Sequence, residues 1–195
     1  SMGLLEKADW TARWIAADPT LLSRDPQAVH PTLQHPGTPA VFRRAFQLPG
    51  AVRRATLYAT ARGVFELQLG GRRVGTDLFA PEWTDYDKRI HYRTYDVTAQ
   101  LAPGRNTLTA TLGDGWWSGF VGWQETRGRY GSLENSLLLQ LEVDLADGAR
   151  LTLVTDQSWL CTTGPILSSD FMLGEVYDAR RESGLAAEGG LLPTG

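Results

Sequence analysis

The sequence has one cysteine, Cys161, in 195 residues, which excludes an internal disulfide and any metal site built on several thiolates. It has three histidines, His30, His35 and His91. The first two stand five apart among prolines, a spacing that pairs imidazoles on neither a helix face nor a strand face. Charge of either sign is not in excess: 19 Lys and Arg against 22 Asp and Glu leave a net charge of -3. No electrostatic footprint for a nucleic acid follows. The arginine pairs 43-44, 53-54, 72-73 and 180-181 do not change this, because adjacent residues of a strand point to opposite faces. No apolar run approaches the roughly 18 residues of a membrane-spanning helix, so no membrane partner is expected. The opening SMGLLEKADW lacks a secretory apolar region, and Ser-Met-Gly reads as a cloning scar. That leaves the compartment open, with the cytoplasm as the default expectation.

Helical periodicity is also scarce, and period-two alternation takes its place. Ser136 to Leu145 puts Leu137, Leu139, Leu141, Val143 and Leu145 on one face and Gln140, Glu142 and Asp144 on the other. Leu108, Ala110 and Leu112 alternate with Thr107, Thr109 and Thr111, and Phe65, Leu67 and Leu69 with Glu66 and Gln68. Weaker strands are expected at Val41–Gln47, Ala55–Ala61, Ile90–Tyr95 and Arg150–Thr155. Gly70-Gly71 and Asp147-Gly148 supply hairpin turns, and Pro103-Gly104 turns the chain before Asn106. One dry and one wet face per strand implies antiparallel sheets packed on each other. The expected fold is all-β, an antiparallel two-sheet jelly-roll β-sandwich with few short helical turns. The best candidate for such a turn is Thr98 to Leu101, capped by Thr98. Asp18 to Pro39, with Pro19, Pro26, Pro31 and Pro36, reads as a surface loop. The expected organisation is a lead-in with the scar over 1–11, a sandwich module over 12–182, and a linker or frayed chain end over 183–195.

The densest motif is GDGWWSGFVGW, Gly113 to Trp123. A dinucleotide fingerprint would need its third glycine one place earlier than Gly119, and a helix after it. A nucleophile elbow would need serine at the centre of G-x-S-x-G, and Ser118 is misplaced by one residue. Asp85 and Asp87 lie on the same side of an extended Thr84–Asp87 segment, but without the oxygen density of a calcium loop. Glu175 and Asp178, accompanied by aromatic and basic residues, are the most suggestive carboxyl pair for a glycosidase, though spacing alone does not make them catalytic; a salt bridge from Asp178 to Arg180 or Arg181 accounts for them equally well. Trp10, Trp14 and Trp159 adjoin apolar runs and read as core. Trp83, Trp116, Trp117 and Trp123 lie among glycine and proline in segments without alternation. There they either offer flat faces to a sugar, with Asp85, Asp114, Gln124, Arg127 and Arg129 as polar neighbours, or pack against another domain.

Several phrases together carry a resemblance: ARWI (12–15), LYATARGVFELQLGGRRVG (57–75), APEWTDYDKRIHYRTYDVT (80–98), LGDGWWSG (112–119), TDQSW (155–159) and GEVYDARRE (174–182). In that order, they resemble the N-terminal β-sandwich module of bacterial α-L-rhamnosidases, glycoside hydrolase family 78. The resemblance implies a galactose-binding-like sandwich and a non-catalytic accessory module. In the family, acid and base belong to a downstream (α/α)₆ barrel, and the parent enzyme removes terminal α-L-rhamnose from glycosides. The partner is accordingly a rhamnose-containing glycan or that barrel. Candidate sugar contacts are Trp83, Asp85, Tyr86, Trp116, Trp117, Trp123, Glu175, Tyr177, Asp178 and Arg180. Related modules hold Ca²⁺ with an Asp-Asn pair before the strand matching Val64–Leu69. Here the place reads Ala61-Arg62-Gly63, so neither calcium nor another cofactor is expected.

Overall fold

The computed structural model describes residues 3, 4, 6–18, 21, 28, 32, 35–122, 127–130, 132–185 and 192–193. In chain order the strands are β1 (Ile15–Ala16), β2 (Ala40–Leu48), β3 (Val52–Arg62), β4 (Val64–Leu69), β5 (Arg72–Arg73), β6 (Arg93–Asp96) and β7 (Gly104–Gly113). A four-residue helix α1 (Gly115–Ser118) follows. The chain continues through β8 (Ser136–Leu145), β9 (Arg150–Val154), β10 (Leu160–Thr163), β11 (Ile166–Asp170), β12 (Gly174–Tyr177) and β13 (Leu192–Pro193). One sheet runs β1-β8-β3-β6 with β9 also on β8; the other runs β13-β10-β2-β7-β4-β5. All their pairings are antiparallel, and β11 and β12 form a separate hairpin. The fold is an all-β sandwich.

Alternation explains the core. Leu137, Leu139, Leu141, Val143 and Leu145 of β8 are all buried, as are Phe65, Leu67 and Leu69 of β4 and Leu108, Ala110 and Leu112 of β7. Small residues pair with large ones across the first sheet: Ala55 faces Val143, Ala59 faces Leu139 and Ala61 faces Leu137. These alanines leave room for Leu and Phe side chains from the opposite sheet, the interdigitation that brings a core to native density. The outward residues Thr56, Tyr58 and Thr60 of β3 are buried too. Residues 9–11 cover that face: Thr11 N–H donates to Gln140 Oε1 at 2.9 Å, and Gln140 Nε2 donates to the Asp9 carbonyl at 3.1 Å.

Several expectations are corrected. Trp159 is core as read, but Trp14 is exposed, with the Arg62 guanidinium 4.9 Å over its ring. Trp10 packs edge-on against Tyr58 and Tyr92 on the outside of the first sheet. The turn at Thr98 is a 3-10 turn over Thr98–Gln100 with Val97 at its cap position and no side-chain cap. Thr98 Oγ1 instead binds Asp96 and the β3 backbone, because a short hydroxyl finds those partners first. The segment 18–39 is no plain surface loop: Leu21, Pro36, Gly37 and Pro39 are buried. The expected strand at 90–95 shrinks to β6, which pairs β3 only from Arg93. Within 183–195, a 3-10 turn runs on to Leu185, and Leu192–Pro193 pairs with β10.

Between β3 and β4 the chain changes sheets through one residue, Gly63, at φ 123°. A Cβ there would stand 2.5 Å from the Gly113 carbonyl oxygen. Gly63→Ala is therefore expected to cost about 1–3 kcal/mol of stability, read as a lowered urea midpoint. A midpoint equal to wild type would contradict the assignment.

Cys161 is buried, and that burial, aided by Asp18, pushes its thiol up to about 12. The native thiol is expected to resist a disulfide reagent at pH 8 and to react fully once the chain is unfolded. Because the folded value lies above the ordinary 9.0, the buried neutral thiol contributes stability below that pH and loses it as pH rises toward about 12. A unfolding midpoint that rises across that interval would overturn the sign.

Candidate functional site

At one end of the sandwich three connections meet: the β5–β6 segment, the β7–β8 segment containing α1, and the turn 171–173 of the β11–β12 hairpin. Trp116 is their common point. Trp83 lies parallel to it at an interplanar angle of 4° and 6.1 Å between ring centroids. Phe171 packs 4.5 Å from it and Phe79 edge-on at 6.3 Å. Phe79 and Trp83 flank Ala80-Pro81, a cis peptide bond buried at the sheet edge, where Ala80 accepts from the Phe65 amide at 2.8 Å. Phe79 and Glu82 both have positive φ, 58° and 79°. Non-glycine residues held there are strained, and such strain gathers at functional sites. The result keeps Phe79 and Trp83 half exposed.

Beneath this outer layer lies an inner one. Successive residues of a helical turn diverge by about 100°, so while Trp116 faces outward Trp117 turns inward and is buried. Trp117 Nε1 donates to the Glu134 carbonyl at 3.0 Å, and its ring stacks on Tyr130 at 9°. Tyr86 closes the layer edge-on to both, and burial, with Tyr130 beside it, pushes its phenol up to about 12. Trp83 Nε1 donates to Tyr130 Oη at 3.0 Å and so ties the two layers.

The inner layer rests on a buried polar network. The Asp114 carboxylate pairs with the Arg127 guanidinium and accepts from Ser118 Oγ at 3.0 Å and Asn135 Nδ2 at 2.9 Å. Arg127 also donates to the carbonyls of Thr32 and His35. Burial pushes the Asp114 carboxyl up, against Arg127, Asn135 and Ser118, which favour the charged form. With the Arg127 guanidinium against it, the carboxylate is the state that leaves no buried cation uncompensated. Asp170 holds the hairpin turn to this base, accepting from the amides of Phe120 at 2.9 Å and Met172 at 2.7 Å. A Cβ on Gly119 would stand 2.7 Å from Asp170 Oδ2, so the hairpin seats only against a glycine.

Of the residues singled out from the sequence, Trp83 and Trp116 come together as an open aromatic platform. Trp117 and Tyr86 belong to its buried support, and so offer no face to a ligand. Asp114 and Arg127 are likewise committed to each other. Trp123 and Gln124 lie outside the described residues. Asp85 is exposed but paired with Lys88 at 2.8 Å, which holds its carboxyl below the usual range. Glu175 and Tyr177 are exposed on β12. Asp178 forms a forked pair with Arg180 at the far end of the hairpin from Phe171, and that pair holds its carboxyl down to about 2. The site residues missed in the sequence are Phe79, Tyr130, Asn135, Asp170 and Phe171. For Phe79 and Phe171 a signal existed: each lies in an apolar patch without alternation, beside Pro81 or Gly174. Where a helix was unexpected after Gly113, α1 makes one turn, too short to serve an anion and headed by the Asp114 carboxylate. Among the described residues no three His, Cys, Asp or Glu side chains are placed to hold a metal ion.

Removing Asp114 leaves Arg127 buried without a counter-charge. Asp114→Ala is expected to destabilise the chain by about 3–5 kcal/mol, against no more than about 1.5 kcal/mol for Trp83→Ala at the open layer. Urea unfolding of both variants checks the order, and equal losses would refute it.

Compared with known proteins, the chain matches the family model of the α-L-rhamnosidase N-terminal domain over residues 50–188. An α-L-rhamnosidase of Formosa agariphila is 38% identical over 188 residues, covering 93% of this chain and 19% of that protein. The crystal structure of the native α-L-rhamnosidase from Aspergillus terreus superposes with a TM-score of 0.87 at 36% identity, over 98% of this chain and 22% of its own. That of the Streptomyces avermitilis α-L-rhamnosidase complexed with L-rhamnose gives 0.77 at 42%, over 86% of this chain and 16% of its own. The chain thus spans about a fifth of the length of these relatives.

Proposed function

We propose a role that starts from kinship: the chain belongs to the α-L-rhamnosidase N-terminal domain family, and it acts as a non-catalytic module that binds carbohydrate for a parent α-L-rhamnosidase. The module proper is proposed to span 12–182. The observation that carries this reading is the Trp83–Trp116 pair, two parallel indoles on a rigid buried base, with Trp83 half exposed and Trp116 partly so. Flat aromatic faces stack on the C–H faces of neutral sugars, and a base locked by hydrogen bonds and an ion pair keeps that surface preorganised. A general acid needs a raised pKa, whereas Asp85 and Asp178 are both shifted down by cationic partners. The family resemblance assigns acid and base to another part of the parent protein.

A second reading has its own observation. Leu78, Phe79, Phe171, Met172 and Leu173 are all exposed around the platform and extend the apolar surface beyond one sugar ring. That rim docks on the remainder of the parent protein, a catalytic barrel by the family resemblance, in which case the platform is an interdomain contact.

Titration with L-rhamnose, with and without EDTA, is expected to change the tryptophan fluorescence with a millimolar dissociation constant independent of EDTA. Trp83→Ala should abolish the change. No response at tens of millimolar sugar would overturn binding by the free module, and protection of Trp83 and Phe171 only in the full-length protein would favour docking.

A further inference from the structure

Apart from the platform, a cleft of about 280 Å³ opens between the outer face of the second sheet and the β11–β12 hairpin. One wall is a set of polar side chains on neighbouring strands: Glu66 and Gln68 of β4, with Thr111 of β7 directly opposite Glu66 in register. The other wall is formed by Ile166 and Tyr177, which face each other across the hairpin, and by Glu182. Tyr177 Oη donates to Glu182 Oε1 at 2.7 Å, which fixes the ring against the cleft while leaving it half exposed. The base of the hairpin is closed by the Asp178 amide on the Pro165 carbonyl at 2.8 Å, so the second wall is held in place.

We propose that this cleft is a second binding site, separate from the aromatic platform, and that it takes one uncharged sugar ring. Its polar wall supplies one carboxylate acceptor for hydroxyl protons, and an amide and a hydroxyl that both donate and accept. The opposite wall supplies the flat apolar face that a pyranose covers with its C–H bonds. The volume is at the small end of ligand pockets, which start near about 300 Å³, and so it suits a single ring better than a chain. Charge sets the class. The Glu66 carboxylate lies 3.4 Å from the Arg73 guanidinium, and Glu182 shares its charge with the Tyr177 hydroxyl. A uronate would meet two carboxylates, and a cation would find one of them already neutralised. This site does not depend on the Trp83–Trp116 reading, since the two share no residue.

The test is an amide-shift titration of the whole chain with L-rhamnose, D-galactose, D-galacturonate and putrescine in separate arms. The neutral sugars are expected to shift the amides of Thr111, Ile166 and Tyr177 and the side-chain amide of Gln68, with a millimolar dissociation constant. D-Galacturonate and putrescine should bind more weakly at those signals. Gln68→Leu should weaken binding there about fivefold, the loss of one hydrogen bond, and Thr111→Val similarly, while Trp83→Ala leaves the cleft signals unchanged. The proposal fails if neutral sugars move only signals around Trp83 and Trp116, or move none. It also fails if putrescine or the uronate saturates the cleft before any neutral sugar.

Discussion

The open end of this molecule depends on one buried ion pair. Asp114 closes β7 and begins α1, Arg127 lies across the following loop, and their contact, with Ser118 and Asn135, fixes both against the sheet edge. A paired charge in so dry a place stabilises little compared with an apolar substitute of the same shape, yet losing one partner is costly. Its structural effect here is to give a short helix and a long loop one arrangement. Trp117 is thereby anchored inward, and Trp116 has only the outward direction left.

The same constraint propagates into the neighbouring segments. Arg127 also binds the carbonyls of Thr32 and His35, and Asp170 fastens the hairpin turn to the Phe120 amide. A stretch rich in proline and a two-stranded hairpin, neither of which belongs to the two main sheets, are thus held to one centre. Seating the hairpin there also makes the cleft, because Ile166 and Tyr177 then share it with Glu66, Gln68 and Thr111 of β4 and β7. Platform and cleft are two consequences of where one hairpin is fastened.

Much of the fold was legible from side-chain alternation. The strands β4, β7 and β8 have their buried faces where period-two patterning puts them, since one wet and one dry face leave a single register. The N-terminal tryptophans were harder. Trp10 and Trp14 adjoin apolar residues, but they lie on the outside of a sheet whose outer face is covered by residues 9–11, and only the packing reveals that cover. The strands β10 to β12 were missed because they are short and mix Thr, Ser and Gly with apolar residues, a pattern shared with loops.

By itself the sequence determined the two-sheet class, the hairpin at Gly70-Gly71, the buried faces of β4, β7 and β8 and the presence of tryptophans in a loop. These follow from local chemistry: alternation, positive φ at glycine, and the absence of cysteine and histidine clusters. Tertiary structure alone decided which tryptophans are open, which carboxylates are already paired and which polar side chains share a cleft. Those outcomes depend on contacts between residues far apart in the chain, such as Asp170 with Phe120 and Gln140 with Thr11, and no local pattern records them. Adjacent Trp116 and Trp117 show the difference most plainly: identical in sequence terms, one is partly exposed and the other buried, because one ion pair sets the direction of a single helical turn.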